Sequence, residues 1–323
     1  LQYVLGDPAK AIELAGQSLE IADRLGDERL AAPPVNLMAR GYWRSDPPKA
    51  RRMIERSVEQ MARLGHKGEE ATALGFAAML FAASGAFDRA LAYADRGVAL
   101  AQEIQNPLAE AAAYMYRGTL HDQRGDHARA IADYEAATRV AEGAGDLLRV
   151  YIVKFWESRA YTRACDASRA RKLAEEGFTL AEKIGTRFVL AHGKAWLADS
   201  LLALGEAAEA CRVSREAILL SEASGDVFAA ALAHRALAES LARLRPSDPQ
   251  WPREIEEAIR ILQDAEAQPE LARTHLSHGR LPKASGDAGE AGARLAHAID
   301  MFRRMDMAWD LGQAEQMGRE LTR

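Results

Sequence analysis

Ten glycines at positions 6, 26, 65, 85, 125, 145, 185, 205, 225 and 286 are separated by 20, 39, 20, 40, 20, 40, 20, 20 and 61 residues, all close to multiples of 20. Six of them are followed by aspartate, at 6–7, 26–27, 125–126, 145–146, 225–226 and 286–287. Such a pair joins two helices back to back. Glycine takes the left-handed conformation that ends one helix, and the aspartate carboxylate accepts the unpaired N–H groups that start the next. Asp7-Pro8, Asp46-Pro47 and Asn106-Pro107 add proline at the first helical position, where its missing N–H costs nothing. Each interval leaves roughly 16 helical residues, a rod about 24 Å long. A fixed period of this kind marks a repeat array, and here it predicts sixteen helices in antiparallel pairs with a 40-residue period.

Composition agrees. Alanine supplies 66 of 323 residues and aromatics only 7%, a bias that favours helix because alanine loses no side-chain entropy there. A hydrophobic content of 48% and a net charge of −5 exclude a disordered or collagen-like chain. No window of about 18 residues lacks charges, so no membrane span is expected. Two cysteines, Cys165 and Cys211, make neither a disulfide scaffold nor a zinc site by themselves, which points to a reducing, cytoplasmic setting. Length alone suggests two domains at about 150 residues each. The period nevertheless runs throughout, so residues 1–323 are expected to form one solenoid, with the proline-rich stretch 244–252 as a loop inside it. The opening Leu1-Gln2-Tyr3-Val4-Leu5-Gly6-Asp7 looks like a helix end such as Leu201–Glu206. From this we expect a fragment of a longer protein, with something upstream.

Within the stretch 111–145, Gly118 is followed by Ala130, Tyr134 and Ala137. Related registers give Ala78…Ala90…Gly97, Ser158…Ala170…Gly177, Ala198…Ala210…Ala217 and Gly279…Ala291…Ala298. This spacing resembles the tetratricopeptide repeat (TPR), in which small residues let paired helices approach and an aromatic fills between them. The likeness spans the whole chain. Its 40-residue period is longer than that of the common form and is similar to the TPR regions of bacterial maltose-responsive-activator-type regulators and multidomain adenylate or guanylate cyclases. The resemblance implies an all-α, right-handed α-solenoid of about sixteen antiparallel helices, in a regulatory module of a signalling protein.

Local departures carry their own expectations. Pro33-Pro34 should delay the second helix until near Pro34, and Pro282 should kink a late helix. Trp309 should cap the final pair. The loop after Arg245 should act as a weak link about which the last repeats pivot.

No active site, cofactor site or metal site stands out. No Gly-Lys-Ser/Thr follows any glycine, and His275 and His278 lack the intervening carboxylate of a zincin; a solvated or capping pair is the expectation. His121 reads as core or groove filler, and Cys165 as a plain thiol at a helix–helix turn. Glu175-Glu176 and Glu256-Glu257 read as solvated helix faces. The 34 arginines and 8 lysines are dispersed among 47 acidic residues, so neither nucleic acid nor membrane is an expected partner.

One constellation stands above this background. Phe76, Tyr116, Trp156 and Trp196 are spaced 40 apart, hence at one place in four successive pairs. Each lies two residues before the small packing residue, about 200° around the helix, facing the concave side or the neighbouring first helix. Two readings remain: inter-repeat packing, or an aromatic ladder offered to a ligand. With Met79, Thr119, Arg159, Arg163 and Asp199 these residues define a candidate binding groove. Arg159 and Arg163 either hold an acidic group or are solvated. The lysine and asparagine clamp of carboxylate-binding TPR domains is absent, since Gly75, Met115, Phe155 and Ala195 hold its places. The expected role is a non-catalytic interaction scaffold for a protein or peptide, or for an effector region of its own chain. A module sensing a small molecule in the superhelical channel is the alternative.

Overall fold

The computed structural model describes residues 8–281 and 288–321. Among these residues there is no strand, and sixteen helices follow one another: α1 (Pro8–Leu25), α2 (Glu28–Tyr42), α3 (Pro47–Leu64), α4 (Lys67–Ala83), α5 (Phe87–Glu103), α6 (Pro107–Arg124), α7 (His127–Gly143), α8 (Leu147–Arg163), α9 (Ala167–Ile184), α10 (Leu190–Ala203), α11 (Ala207–Ser224), α12 (Val227–Leu244), α13 (Gln250–Asp264), α14 (Gln268–Arg280), α15 (Ala288–Arg304) and α16 (Ala308–Leu321). None of them is long and apolar enough to cross a membrane.

The caps work as their chemistry dictates. Asp27, Asp126, Asp146 and Asp226 each accept a backbone N–H two or three residues ahead, at 2.8–3.2 Å. The left-handed backbone recurs at 85, 105, 125, 145, 165, 185, 205 and 225, with Gln105 and Cys165 standing where the other six positions carry glycine. Helix pairs then pack tightly. A Cβ at Gly118 would lie 2.7 Å from the Tyr134 ring, and one at Gly177 would lie 2.8 Å from Phe155. Only a residue without a side chain admits the aromatic at those two places.

Two helix expectations change. The helix containing Pro33 and Pro34 starts at Glu28, not near Pro34. Asp27 caps the Arg29 and Leu30 amides and Ala31 N–H reaches Asp27 C=O, so the first turn is closed before the two missing donors matter. Trp309 does not cap the final pair. It is 38% exposed and meets His127 edge-on at 4.8 Å, reaching back to the α6–α7 turn. Pro282 and the opening Leu1–Asp7 lie outside the described residues.

The superhelix closes on itself. Val227 N–H donates to Arg44 C=O at 2.9 Å, joining the end of α2 to the start of α12. Arg273 on α14 donates to both the side chain and the backbone carbonyl of Gln123 on α6, at 2.7 and 2.8 Å. Arg124 pairs with Asp306 at 2.6 Å, and Arg51 pairs with Glu266. The segment after Arg245 is thus tied to the first repeats. Its own loop is anchored too, because the buried Trp251 indole donates to Pro246 C=O at 3.0 Å.

Candidate functional site in the closed channel

Successive first helices of the pairs line the inside of the superhelix, α4 against α6, α8 against α10 and α10 against α12. Their inward side chains form two layers. The first is aromatic. His192 stacks on Trp43 at 5.4 Å and on Trp156 at 6.0 Å, and lies 5.2 Å from Trp196. Trp43 also meets Phe228 at 6.1 Å and Phe76 at 6.5 Å, so α2, α4, α8, α10 and α12 share one cluster. The His192 ring is held by Asp226, whose carboxylate lies 3.2 Å from Nδ1 and 3.5 Å from Arg44.

The second layer is ionic and draws on α6, α8, α10, α12, α14 and α16. Four carboxylates, Asp122, Asp199, Glu270 and Asp310, meet four guanidiniums, Arg159, Arg163, Arg235 and Arg273. Asp122 receives Arg163 at 2.9 Å and His127 Nδ1 at 3.2 Å, with Arg159 beside it. Burial alone would raise its carboxyl, but Arg159, Arg163 and His127 hold it well below the usual carboxylate range. Glu270 is likewise buried and held well below that range by Arg163, Arg273 and Arg235. Asp310 takes a two-pronged contact from Arg273 at 2.8 and 2.9 Å. Asp199 differs. Burial pushes it up to about 6, Glu239 and Glu270 reinforce this, and Arg235 at 3.2 Å with Arg163 only partly offsets it.

Each predicted groove residue can now be placed. Phe76, Tyr116, Trp156 and Trp196 are 2%, 5%, 4% and 2% exposed, so they offer no open ladder to a ligand. They pack as two pairs, Phe76–Tyr116 at 5.8 Å and Trp156–Trp196 at 4.8 Å, with Arg40 over Phe76 and Arg159 over Trp196. Met79, Thr119, Trp156, Arg159 and Trp196 converge on a small cavity of about 50 Å³ that Glu270 and Gln123 also line. The Trp196 indole N–H is buried with no hydrogen-bond partner among the described residues. Arg163 and Asp199 stand instead on the wall of an open mouth of about 320 Å³ at the ends of α8, α10, α12 and α14. Arg159 and Arg163 do hold acidic groups, and these are the protein's own, Asp122 and Glu270.

Sequence reasoning missed Asp122, Arg235, Glu270, Arg273 and Asp310. Most of their contacts join neighbouring repeats, 35–41 residues apart, while Arg163–Glu270 and Arg273–Gln123 cross the superhelix; Glu270 and Asp310 stand 40 apart, but acidic residues are too common along the chain for that spacing to single them out. The expectation that His275 and His278 are a solvated or capping pair is also corrected, since both are buried, with His275 edge-on to His297 at 4.7 Å. Burial lowers His275 to about 4, with His297, Arg294 and His278 adding to it. His121 is half-buried beside Asp133, and Cys165 is exposed.

No family model matches the chain, and no curated protein matches it in sequence. Solved structures do. A Rap protein in complex with Competence and Sporulation Factor is similar with a TM-score of 0.65 at 13% identity, over 97% of this chain and 94% of that one. The apo quorum sensor NprR from B. thuringiensis is similar with a TM-score of 0.52 at 11% identity, over 98% of each chain. A STAND signal-transduction ATPase with a tetratricopeptide repeat sensor, from Pyrococcus horikoshii, gives 0.59 at 14% identity, over 95% of this chain and 51% of that one. At these identities the likeness concerns the fold, and the fold is that of the TPR-like helical solenoids.

Proposed function

We propose that this chain is a non-catalytic protein-interaction and regulatory module of a bacterial signalling protein, taking a protein or peptide, or another region of its own chain, on the concave face. The observation that carries this reading is the inner wall itself. It concentrates four guanidiniums and four carboxylates that pair both between neighbouring repeats and across the superhelix, and a mouth of about 320 Å³ opens beside them. The similar Rap structure holds a signalling factor and the similar NprR is a quorum sensor, which supports a sensing role without naming a ligand here. The closed state implies that a partner works against the contacts between first and last repeats. The inner cavity of about 50 Å³ holds no more than a water or two, so entry there requires opening.

Peptide display on the whole immobilised chain, followed by hydrogen exchange with an enriched peptide, tests the reading. Protection is expected on the inner helices α6, α8, α10 and α12. Enrichment of no peptide, or protection confined to the outer helices α7, α9 and α11, rejects it. The mouth's volume also falls at the low end of small-molecule pockets, about 300–1,000 Å³, which favours a small polar ligand as the second reading. A thermal-shift screen over metabolites addresses that case, because a ligand specific to the folded state raises the melting temperature.

A further inference from the structure

The inner wall carries a second hollow, at the other end of α8 from the mouth. It is an open cavity of about 290 Å³ where α2, α4, α6 and α8 meet, with Arg40, Arg149 and Glu69 as its charged walls and Leu37 and Met61 among its apolar ones. Arg40 and Arg149 converge there on one neutral atom, the Tyr116 hydroxyl oxygen, which Arg40 reaches at 3.3 Å. Burial would raise this phenol, yet the two guanidiniums hold it below its ordinary 10. Like charges brought onto one neutral oxygen repel unless an anion joins them.

No carboxylate of the described residues stands between them. Arg40 spends three N–H groups on neutral acceptors, Asn36 Oδ1 at 2.7 Å, Thr72 C=O at 3.0 Å and the Tyr116 hydroxyl, and its remaining charge lies 4.8 Å from the Phe76 ring. It forms no ion pair among the described residues. Arg149 donates to Met115 Sδ at 3.7 Å, and its Nε–H is buried without a hydrogen-bond partner. Its one ion pair among the described residues is with Asp146 at 3.9 Å, and that carboxylate already caps α8 by accepting the Arg149 amide at 2.9 Å. Glu69 is the complement. It is exposed in the first turn of α4, beyond ion-pair distance of both arginines, and its carboxylate has no partner among the described residues. With Asp146 counted, cations and carboxylates around the hollow are equal in number, so no net charge calls for a simple anion. Separation is what the hollow offers: two cations lacking a carboxylate, and a carboxylate lacking a cation.

We propose that this hollow binds a free α-amino acid with an aliphatic side chain, its carboxylate bridging Arg40 and Arg149, its ammonium on Glu69 and its side chain against Leu37 and Met61. Such a guest is neutral overall and supplies both missing charges. The hollow's volume of about 290 Å³ suits it, at the small end of ligand sites of about 300–1,000 Å³. The inner helices α4, α6 and α8 begin at this end, and their first-turn amides favour a carboxylate over any cation beside the arginines. A bridged pair links α2 directly to α8, so occupancy draws the first repeats together. The proposal needs no partner on the concave face and stands apart from the reading above.

Calorimetric titration of the whole chain with L-leucine and L-methionine tests this. Leucinamide, which lacks the carboxylate, and N-acetylleucine, which lacks the ammonium, are the comparisons. Leucine is expected to bind about tenfold more tightly than either. Arg149→Gln and Glu69→Gln should each weaken leucine about tenfold. Glu69→Gln should also erase the preference for leucine over N-acetylleucine, which a general loosening of the fold would leave in place. No binding of either amino acid, leucinamide or N-acetylleucine matching leucine, or wild-type affinity in Glu69→Gln overturns the proposal. A folded Arg149→Gln chain with wild-type affinity overturns the place given to the carboxylate. If that variant does not fold, Glu69→Gln decides, since the exposed Glu69 carboxylate holds no described residue in place. Display peptides that protect the inner helices while both amino acids fail would sink this proposal and leave the partner-binding reading standing. Leucine binding with no peptide enriched would do the reverse.

Discussion

The aromatic layer around Trp43 and His192 and the ionic layer around Glu270 share one inner wall, and both join neighbouring repeats as well as crossing the superhelix, yet they respond to opening differently. Among the aromatics, Phe76–Tyr116 and Trp156–Trp196 join residues 40 apart, one repeat to the next, while Trp43–His192 and Trp43–Phe228 cross the superhelix. Among the charges, Asp122–Arg163 and Asp310–Arg273 join neighbouring repeats, while Arg163–Glu270 spans 107 residues, across the turn of the superhelix. Burying aromatic rings is favourable wherever they meet. Burying charge costs several kcal/mol per ion unless every partner is in place. The first layer therefore supplies cohesion that does not depend on charge, and the second, where separation of partners strands buried charge, is the more sensitive to how far the superhelix has closed.

The largest effect tests that sensitivity. Glu270→Ala leaves three guanidiniums facing one another without their shared carboxylate, and should cost about 3–5 kcal/mol in urea unfolding. A loss under about 1 kcal/mol would mean that Glu270 is hydrated in solution and the channel more open than described. On the aromatic side, Met79→Ala removes a buried side chain next to the small inner cavity and should cost about 2–3 kcal/mol. That loss should not change with added salt. A salt-dependent loss at Met79 would break the division between the layers.

The contrast also explains what could be read from the sequence. Nearest-neighbour contacts obey the 40-residue period, so the helix count, the back-to-back caps and the aromatic register were all visible. Contacts across the superhelix depend on its pitch, which no local pattern encodes, so Glu270 went unseen while its partner Arg163 was singled out; Asp122 and Asp310 pair between neighbouring repeats, at offsets of 41 and 37 residues that the many other charges of the helix faces mask. The same pitch buries the four aromatics that an open groove would have displayed. Smaller misses have local causes. Gln105 and Cys165 hide two points of the 20-residue grid because they adopt the left-handed backbone without being glycine. Asp27 closes a turn ahead of Pro33 and Pro34 that the prolines by themselves would not have suggested.

pH separates the ionic layer's own members. Asp199 titrates at about 6 when folded, above its ordinary 3.8: burial raises it, Glu239 and Glu270 add to that, and Arg235 and Arg163 oppose. Between those values the folded chain binds more protons than the unfolded one, so this group's contribution to stability falls as pH rises through the window. Asp122 and Glu270, held well below their ordinary values, act oppositely, and their contribution is lost only as pH falls below about 4. Asp199→Asn should therefore flatten the decline between about pH 4 and pH 6 by about 1–2 kcal/mol, with little change at more acid pH. An unchanged slope in urea midpoints would place Asp199 in bulk solvent, outside the layer.

The smallest effect isolates burial from charge. Glu28 and Arg63 pair at 2.9 Å between α2 and α3, with side chains 64% and 63% exposed. Distance and chemistry match those of the Arg235–Glu270 pair, also at 2.9 Å. Only the solvent differs. Water screens the outer pair, and ordering two long side chains offsets most of what attraction is left, so Arg63→Ala should cost less than about 1 kcal/mol and less still at high salt. If Arg63→Ala instead matched Glu270→Ala in urea unfolding, an ion pair on the outside of this solenoid would weigh as much as one inside the channel. The sensitivity of the ionic layer to closure would then have no physical basis, since opening the channel merely exchanges buried pairs for exposed ones.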